Sequence, residues 1–134
     1  PGVRHCPPKN SAPIRYFYLF FTNAIWNMFV TETNLHAHRE INRKRASGEM
    51  KASSRLLKWI DVTVKEMKKF MSILINMGLI HKNNIEDYWK TTRSRAIPFF
   101  PSVMSLKRFQ SIASMFHLSS VPTLERGMAG YDPW

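Results

Sequence analysis

Nine carboxylates and twenty Lys and Arg side chains are the groups through which this 134-residue chain could do chemistry. Carboxylates held close together can fix two Mg²⁺ ions on a phosphate that is to be cut. The acids here are Glu32, Glu40, Glu49, Asp61, Glu66, Glu86, Asp87, Glu125 and Asp132. Glu86 and Asp87 are adjacent and diverge on a helix, so they make a poor metal pair and serve better as first-turn partners of a helix dipole. Glu66 follows Thr63 at the spacing of a helix-capping pair. Tested for roles and mutual geometry, the acids suggest no catalytic set, and no catalytic residue is expected in this chain.

The histidines and the cysteine suggest no metal site either. His36 and His38 are two residues apart, which separates them on a helix. His5 and Cys6 lie in a proline-rich arm without a second pair at zinc-finger spacing. His81 and His117 stand apart from the others. The single cysteine excludes an internal disulfide and suits a reducing compartment.

The cations carry the strongest signal. The net charge is +11 and the isoelectric point about 10.2, a balance that favours a polyanionic partner. Arg43, Lys44, Arg45, Lys51, Arg55 and Lys58 are opposed within their stretch by Glu49 alone. On a Gly- and Ser-containing linker they are the first candidates for contact with DNA phosphates. The same run could instead be a solvated loop or a short nuclear-import signal. Secondary candidates are Lys68 and Lys69 on a wet helix side, Arg93 and Arg95 in a loop, and Lys107 and Arg108 at a helix start, where phosphate is favoured. Arg108 could equally be the structural partner of a carboxylate. No RNA-binding signature, glycine-rich phosphate loop or nucleophile–His–acid arrangement is present.

These side chains must be positioned by helices. Thr22, Thr63 and Ser105 each read as an N-cap, because a hydroxyl can accept from an unpaired N–H of the first turn. Each lies between apolar residues at staple spacing: Phe21 with Trp26, Val62 with Met67, Met104 with Phe109. The expected helices are 22–44, 63–77 and 105–117. Trp26, Val30, Thr33, Ala37 and Ile41 form the inner face of the first; Met67, Phe70, Met71, Leu74 and Met77 that of the second; Leu106, Phe109, Ile112, Ala113 and Phe116 that of the third. Gly78 is read as a left-handed terminator. A short helix through Tyr88 and Trp89 could be capped at Asn83–Asn84, and Pro98 and Pro101 bracket a loop with Phe99 and Phe100. Tyr16–Phe21 is aromatic enough for a strand, but one strand cannot build a sheet.

The fold class is therefore all-α: a small helical domain of three main helices, short helical turns and irregular N- and C-terminal arms. An arm at 1–13 precedes a helical region at 14–120, and 121–134 reads as a linker. The longest apolar run, Phe70–Ile80, is interrupted by Ser72, Asn76 and Gly78 and falls short of the roughly 18 residues a membrane span needs. No signal peptide is visible in the polar, proline-bearing first 13 residues.

Several blocks, taken in order, resemble the piggyBac-type transposase family. They are Phe20-Phe21-Thr22 with Glu32-Thr33-Asn34; Trp59, Val62-Thr63 and Glu66 leading into Ile73–Gly78; Ile85-Glu86-Asp87-Tyr88-Trp89; and Met104-Ser105, Arg108-Phe109-Gln110 and Phe116-His117-Leu118. The resemblance covers roughly Ile14–Ser120. It departs at His117-Leu118-Ser119-Ser120, where the family usually has Phe after the His and an acid–Asn pair, the mark of a diverged member.

The resemblance implies a non-catalytic N-terminal part that binds double-stranded DNA at transposon terminal inverted repeats, in a nuclear protein that forms a homodimer. It places the metal-binding aspartates of an active parent, with their Mg²⁺, beyond Trp134, and leaves this part without a cofactor. The alternative is a protein-interaction scaffold, derived from a transposase, that no longer binds terminal-repeat DNA.

Overall fold

Three capped and stapled helices organise the computed structural model, which describes residues 6–49, 55–92 and 96–118. In chain order the α-helices are α1 (Pro13–Phe20), α2 (Asn23–Ala46), α3 (Val64–Leu79), α4 (Phe99–Val103) and α5 (Leu106–Met115). Two 3₁₀ turns, Arg55–Lys58 and Ile85–Trp89, lie before and after α3. No strand occurs among the described residues, and the class is all-α. Nor, among them, is any helix long and apolar enough to cross a membrane.

The expected caps form. The Thr22 hydroxyl accepts from the Ile25 N–H at 3.4 Å, and the Ser105 hydroxyl from the Arg108 N–H at 3.3 Å. At Thr63 the capping box closes in both directions: Glu66 N–H donates to the Thr63 hydroxyl, and Thr63 N–H to the Glu66 carboxylate. The residues of all three staples lie in or against the core. Val62, Met67, Met104 and Phe109 are buried, and the Phe21 and Trp26 rings lie 5.4 Å apart. These contacts satisfy otherwise unpaired N–H groups and set the angle at which the chain enters each helix.

Helix α2 packs against both α3 and α5. It turns Trp26, Thr33, Ala37 and Ile41 inward, while Val30 is half-buried. Phe70 of α3 lies 5.2 Å from Phe109 and 5.3 Å from Phe116, ring centre to ring centre, within the range of favourable aromatic pairs.

Several elements differ from the sequence-based expectation. The irregular arm ends before residue 13: Pro13 opens α1, at the position where its missing N–H costs nothing. The Tyr16–Phe20 stretch is helical, and Phe17 and Phe21, one turn apart, stack at 4.2 Å. The segment between Pro98 and Pro101 is α4 rather than a loop. Pro101 falls in the first turn, where no N–H is required, and Phe100 is fully buried.

Gly78 does not terminate α3 in a left-handed conformation. The helix runs on to Leu79 and ends at an extended Ile80. A tertiary contact receives the chain there: the Tyr88 hydroxyl donates to the Ile80 carbonyl at 2.7 Å and accepts from the Lys82 N–H at 3.0 Å. The glycine that does close a helix is Gly48, at φ 70° just past α2.

The inner faces are also shifted. Ile73 joins Met67 and Phe70 as buried, with Met71, Leu74 and Met77 only half-buried. Helix α3 is covered by α2 and by α4, so its buried arc is wider than one stripe. On α5, Met115 is buried and Ala113 exposed, and the helix stops before Phe116. The turn at Ile85–Trp89 forms, but no side chain of Asn84 caps it.

Candidate nucleic-acid interface

Arg43, Lys44 and Arg45 form the last turn of α2. Cations there offset the partial negative charge of the unpaired carbonyls, so they have a local role whatever else they meet. Arg43 is held by its own helix. Its guanidinium donates twice to the Glu40 carboxylate, at 3.1 Å each, and lies 3.9 Å from Glu49. Those hydrogen bonds keep Glu40 below the usual carboxylate range and raise the Arg43 guanidinium. Lys44 and Arg45 make no ion pair among the described residues.

Arg55 and Lys58 open and close the 3₁₀ turn that packs against α2. Lys58 is exposed, and the Arg55 side chain lies outside the described residues. Lys51, Arg93 and Arg95 also fall outside them. Lys68 and Lys69 are exposed on α3, with the Lys68 ammonium 5.6 Å from the centre of the Trp26 ring. Lys107 is exposed in the first turn of α5.

Arg108 occupies the structural one of its two possible roles. Its Nε and Nη2 donate to the two oxygens of Glu66 at 3.0 and 3.1 Å, and its Nη1 donates to the Ile60 carbonyl at 2.9 Å. The guanidinium carbon lies 5.5 Å from the centre of the Trp59 ring. This bidentate pair, with the Thr63 N–H behind it, holds the Glu66 carboxyl below its ordinary range against the opposing effect of burial.

Arg108 with Glu66 is one of several joints tying distant stretches together. The Asn34 side chain clamps the backbone of Val62, accepting from its N–H at 2.8 Å and donating to its carbonyl at 3.0 Å. Fully buried Thr33 reaches the backbone carbonyl and N–H of His117, each at 3.4 Å. The Trp89 indole donates to the Met104 carbonyl at 2.7 Å. His36 and His117 stack at 4.6 Å, so His117 is not apart from the other histidines in space. Asp61 accepts from the Trp59 indole and sits 2.8 Å from His38.

Sequence reasoning did not find the Asn34 and Thr33 joints, because their partners lie 28 and 84 residues away. One signal was present: a threonine within an apolar helical stripe needs a hydrogen-bond partner. Among the described residues no three His, Cys, Asp or Glu side chains converge on a metal position. Glu125 and Asp132 lie outside the described residues.

The residues in these joints come from separate blocks: Thr33 and Asn34, Trp59 to Glu66, Trp89, and Met104 to His117. A family model described as Transposase IS4 matches residues 12–132, spanning all of them. The chain belongs to that transposase family. Its piggyBac character is carried by a human relative, PiggyBac transposable element-derived protein 5, which is 29% identical over 120 residues. That alignment covers 87% of this chain and 20% of the relative, so the chain spans about one fifth of the relative's length. No solved structure matches. Within the piggyBac-type family setting, the blocks that made the chain recognisable meet as packing joints.

Proposed function

We propose that this chain is the non-catalytic N-terminal DNA-binding and dimerisation part of a piggyBac-type DNA transposase or of a domesticated derivative. Double-stranded DNA, the terminal inverted repeats of a transposon, is the partner, and the parent protein works in the nucleus as a homodimer. The Mg²⁺ chemistry of an active parent belongs to residues outside this chain.

The observation that carries this reading is the division of labour among the basic side chains. Arg108 is fully engaged in a packing joint, whereas Lys44, Arg45 and Lys58 make no ion pair among the described residues. A chain of net charge +11 that keeps cations free beside a helix end has the means to track a phosphate backbone.

The test is DNA affinity over a range of salt concentrations. Each phosphate neutralised on duplex DNA contributes a slope of about 0.9 log unit in affinity per decade of salt. Replacing Arg43, Lys44 and Arg45 together with Ala should flatten that slope by about two contacts' worth, since Arg43 is held by Glu40. The loss should be similar across DNA sequences. An unchanged slope in a folded triple variant removes this run from the interface. A well-folded chain that binds no DNA even at low salt favours the scaffold reading.

A further inference from the structure

We propose that the groove between α1 and α3 is a docking site for an acidic amphipathic helix of a partner protein. The inference does not rest on the DNA reading, although Lys68 and Lys69, secondary candidates for phosphate contact, lie on α3 beside this groove.

Helix α1 is rich in aromatic and aliphatic residues, yet none of them is buried. Ile14 and Tyr18, one turn apart, are 52% and 51% exposed. Met71 and Ile75, also one turn apart, line the opposite wall on α3, and Ile75 is 47% exposed. Trp26 contributes to the lining as well, and its buried indole N–H has no acceptor among the described residues. The groove between these walls has a volume of about 410 Å³, within the usual size of ligand sites. Two apolar walls, each built from side chains one helical turn apart, suit the stripe of a third helix, whose apolar side chains recur every three or four residues.

Charge selects the occupant. Lys68 is the charged residue in the lining, with its ammonium over the Trp26 ring. Lys65 lies one turn before it, and Lys69 and Arg15 are exposed on the same two helices. The single acid of α1 and α3 is Glu66, held by Arg108. Among the described residues the lining holds one cation and no acid, and the other exposed charges of α1 and α3 are positive. DNA would find cations here but an apolar floor unsuited to phosphate. A second copy related by a two-fold axis would bring Lys68 rims against each other, which like-charge repulsion disfavours. A helix with an apolar stripe flanked by Glu and Asp meets both the walls and the rim.

The experiment selects a displayed library of random 16-residue peptides on the full chain, with Ile75→Arg as counter-selection. The expected result is enrichment of peptides carrying apolar residues at helical spacing and acids beside them. A synthetic peptide of the enriched sequence should bind Ile75→Arg and Tyr18→Arg at least tenfold more weakly, with helix content unchanged by circular dichroism. Lys68→Glu should weaken it about tenfold and improve binding of the same peptide with its acids replaced by Lys. No enrichment, enrichment of basic or patternless peptides, or equal binding by a folded Ile75→Arg variant overturns the proposal. So does self-association in sedimentation that Ile75→Arg abolishes, which would assign the groove to a second copy.

Discussion

Arg108 shows how much one side chain decides in this fold. Its guanidinium joins the start of α5 to the start of α3 through Glu66 and to the preceding segment through Ile60 and Trp59. Both partners of the ion pair are shielded, with side chains 20% and 31% exposed, so truncating one leaves the other poorly solvated. Arg108→Ala is expected to cost about 2 kcal/mol in urea unfolding, the range for hydrogen bonds to charged groups. Arg108→Lys should recover only part of it, because an ammonium cannot reproduce the fork. Full stability in Arg108→Ala would reduce the joint to a surface contact. A pH dependence follows from the same pair. The Glu66 carboxyl is lowered from its ordinary value of 4.5, first by the Arg108 hydrogen bonds. A depressed carboxyl contributes stability that is complete above the ordinary value and lost as pH falls through the folded one. Acidification below about pH 4.5 should therefore destabilise the wild type more than Glu66→Gln, as read from urea midpoints at neutral and acid pH. Parallel midpoint curves for the two proteins would contradict this.

At the scale of elements, what was legible in the sequence was local. Each N-cap and each staple pairs residues at most five apart; the three caps formed as expected, and the staple residues lie in or against the core. The inner face of α2 was legible for the same reason, since it follows one helical period. What was not legible depends on distant chain. Helix α3 passes Gly78 because Tyr88, not a glycine, receives the chain at Ile80. Helix α4 was hidden by two prolines that its first turn tolerates. Of the candidate interface, the identity of the cations could be read, but not that Arg43 and Arg108 are held by carboxylates. Two substitutions test this division. Thr63→Ala removes a local cap and should cost about 1 kcal/mol. Asn34→Ala leaves both polar backbone groups of buried Val62 without a partner and should cost about 2 kcal/mol, at one to each hydrogen bond. Thermal or urea unfolding would measure both; an Asn34→Ala variant as stable as wild type would show that water replaces the clamp.

For the whole molecule, the question is whether a transposase-family chain of this length can do the family's chemistry. Cutting a phosphodiester with two metal ions needs carboxylates that converge, held by a rigid scaffold at a spacing of a few ångströms. In the described part of this chain four of the acids are committed to separate tasks. Glu66 caps α3 and binds Arg108, Glu40 holds Arg43, Asp61 receives Trp59 and His38, and Asp87 pairs with Lys90. Moving any of them to a metal would break a joint or a cap. The prediction is that the purified chain retains supercoiled plasmid DNA in a low-salt binding assay yet does not nick it with Mg²⁺ or Mn²⁺. Gel electrophoresis of the plasmid after long incubation, scored for open-circular product, is the measurement. Trace nuclease is separated from real activity by changing the acids singly to Asn or Gln. Nicking that persists in every variant belongs to a contaminant, whereas nicking abolished by one substitution in a folded variant would place a catalytic carboxylate inside this chain and overturn its assignment as a non-catalytic part.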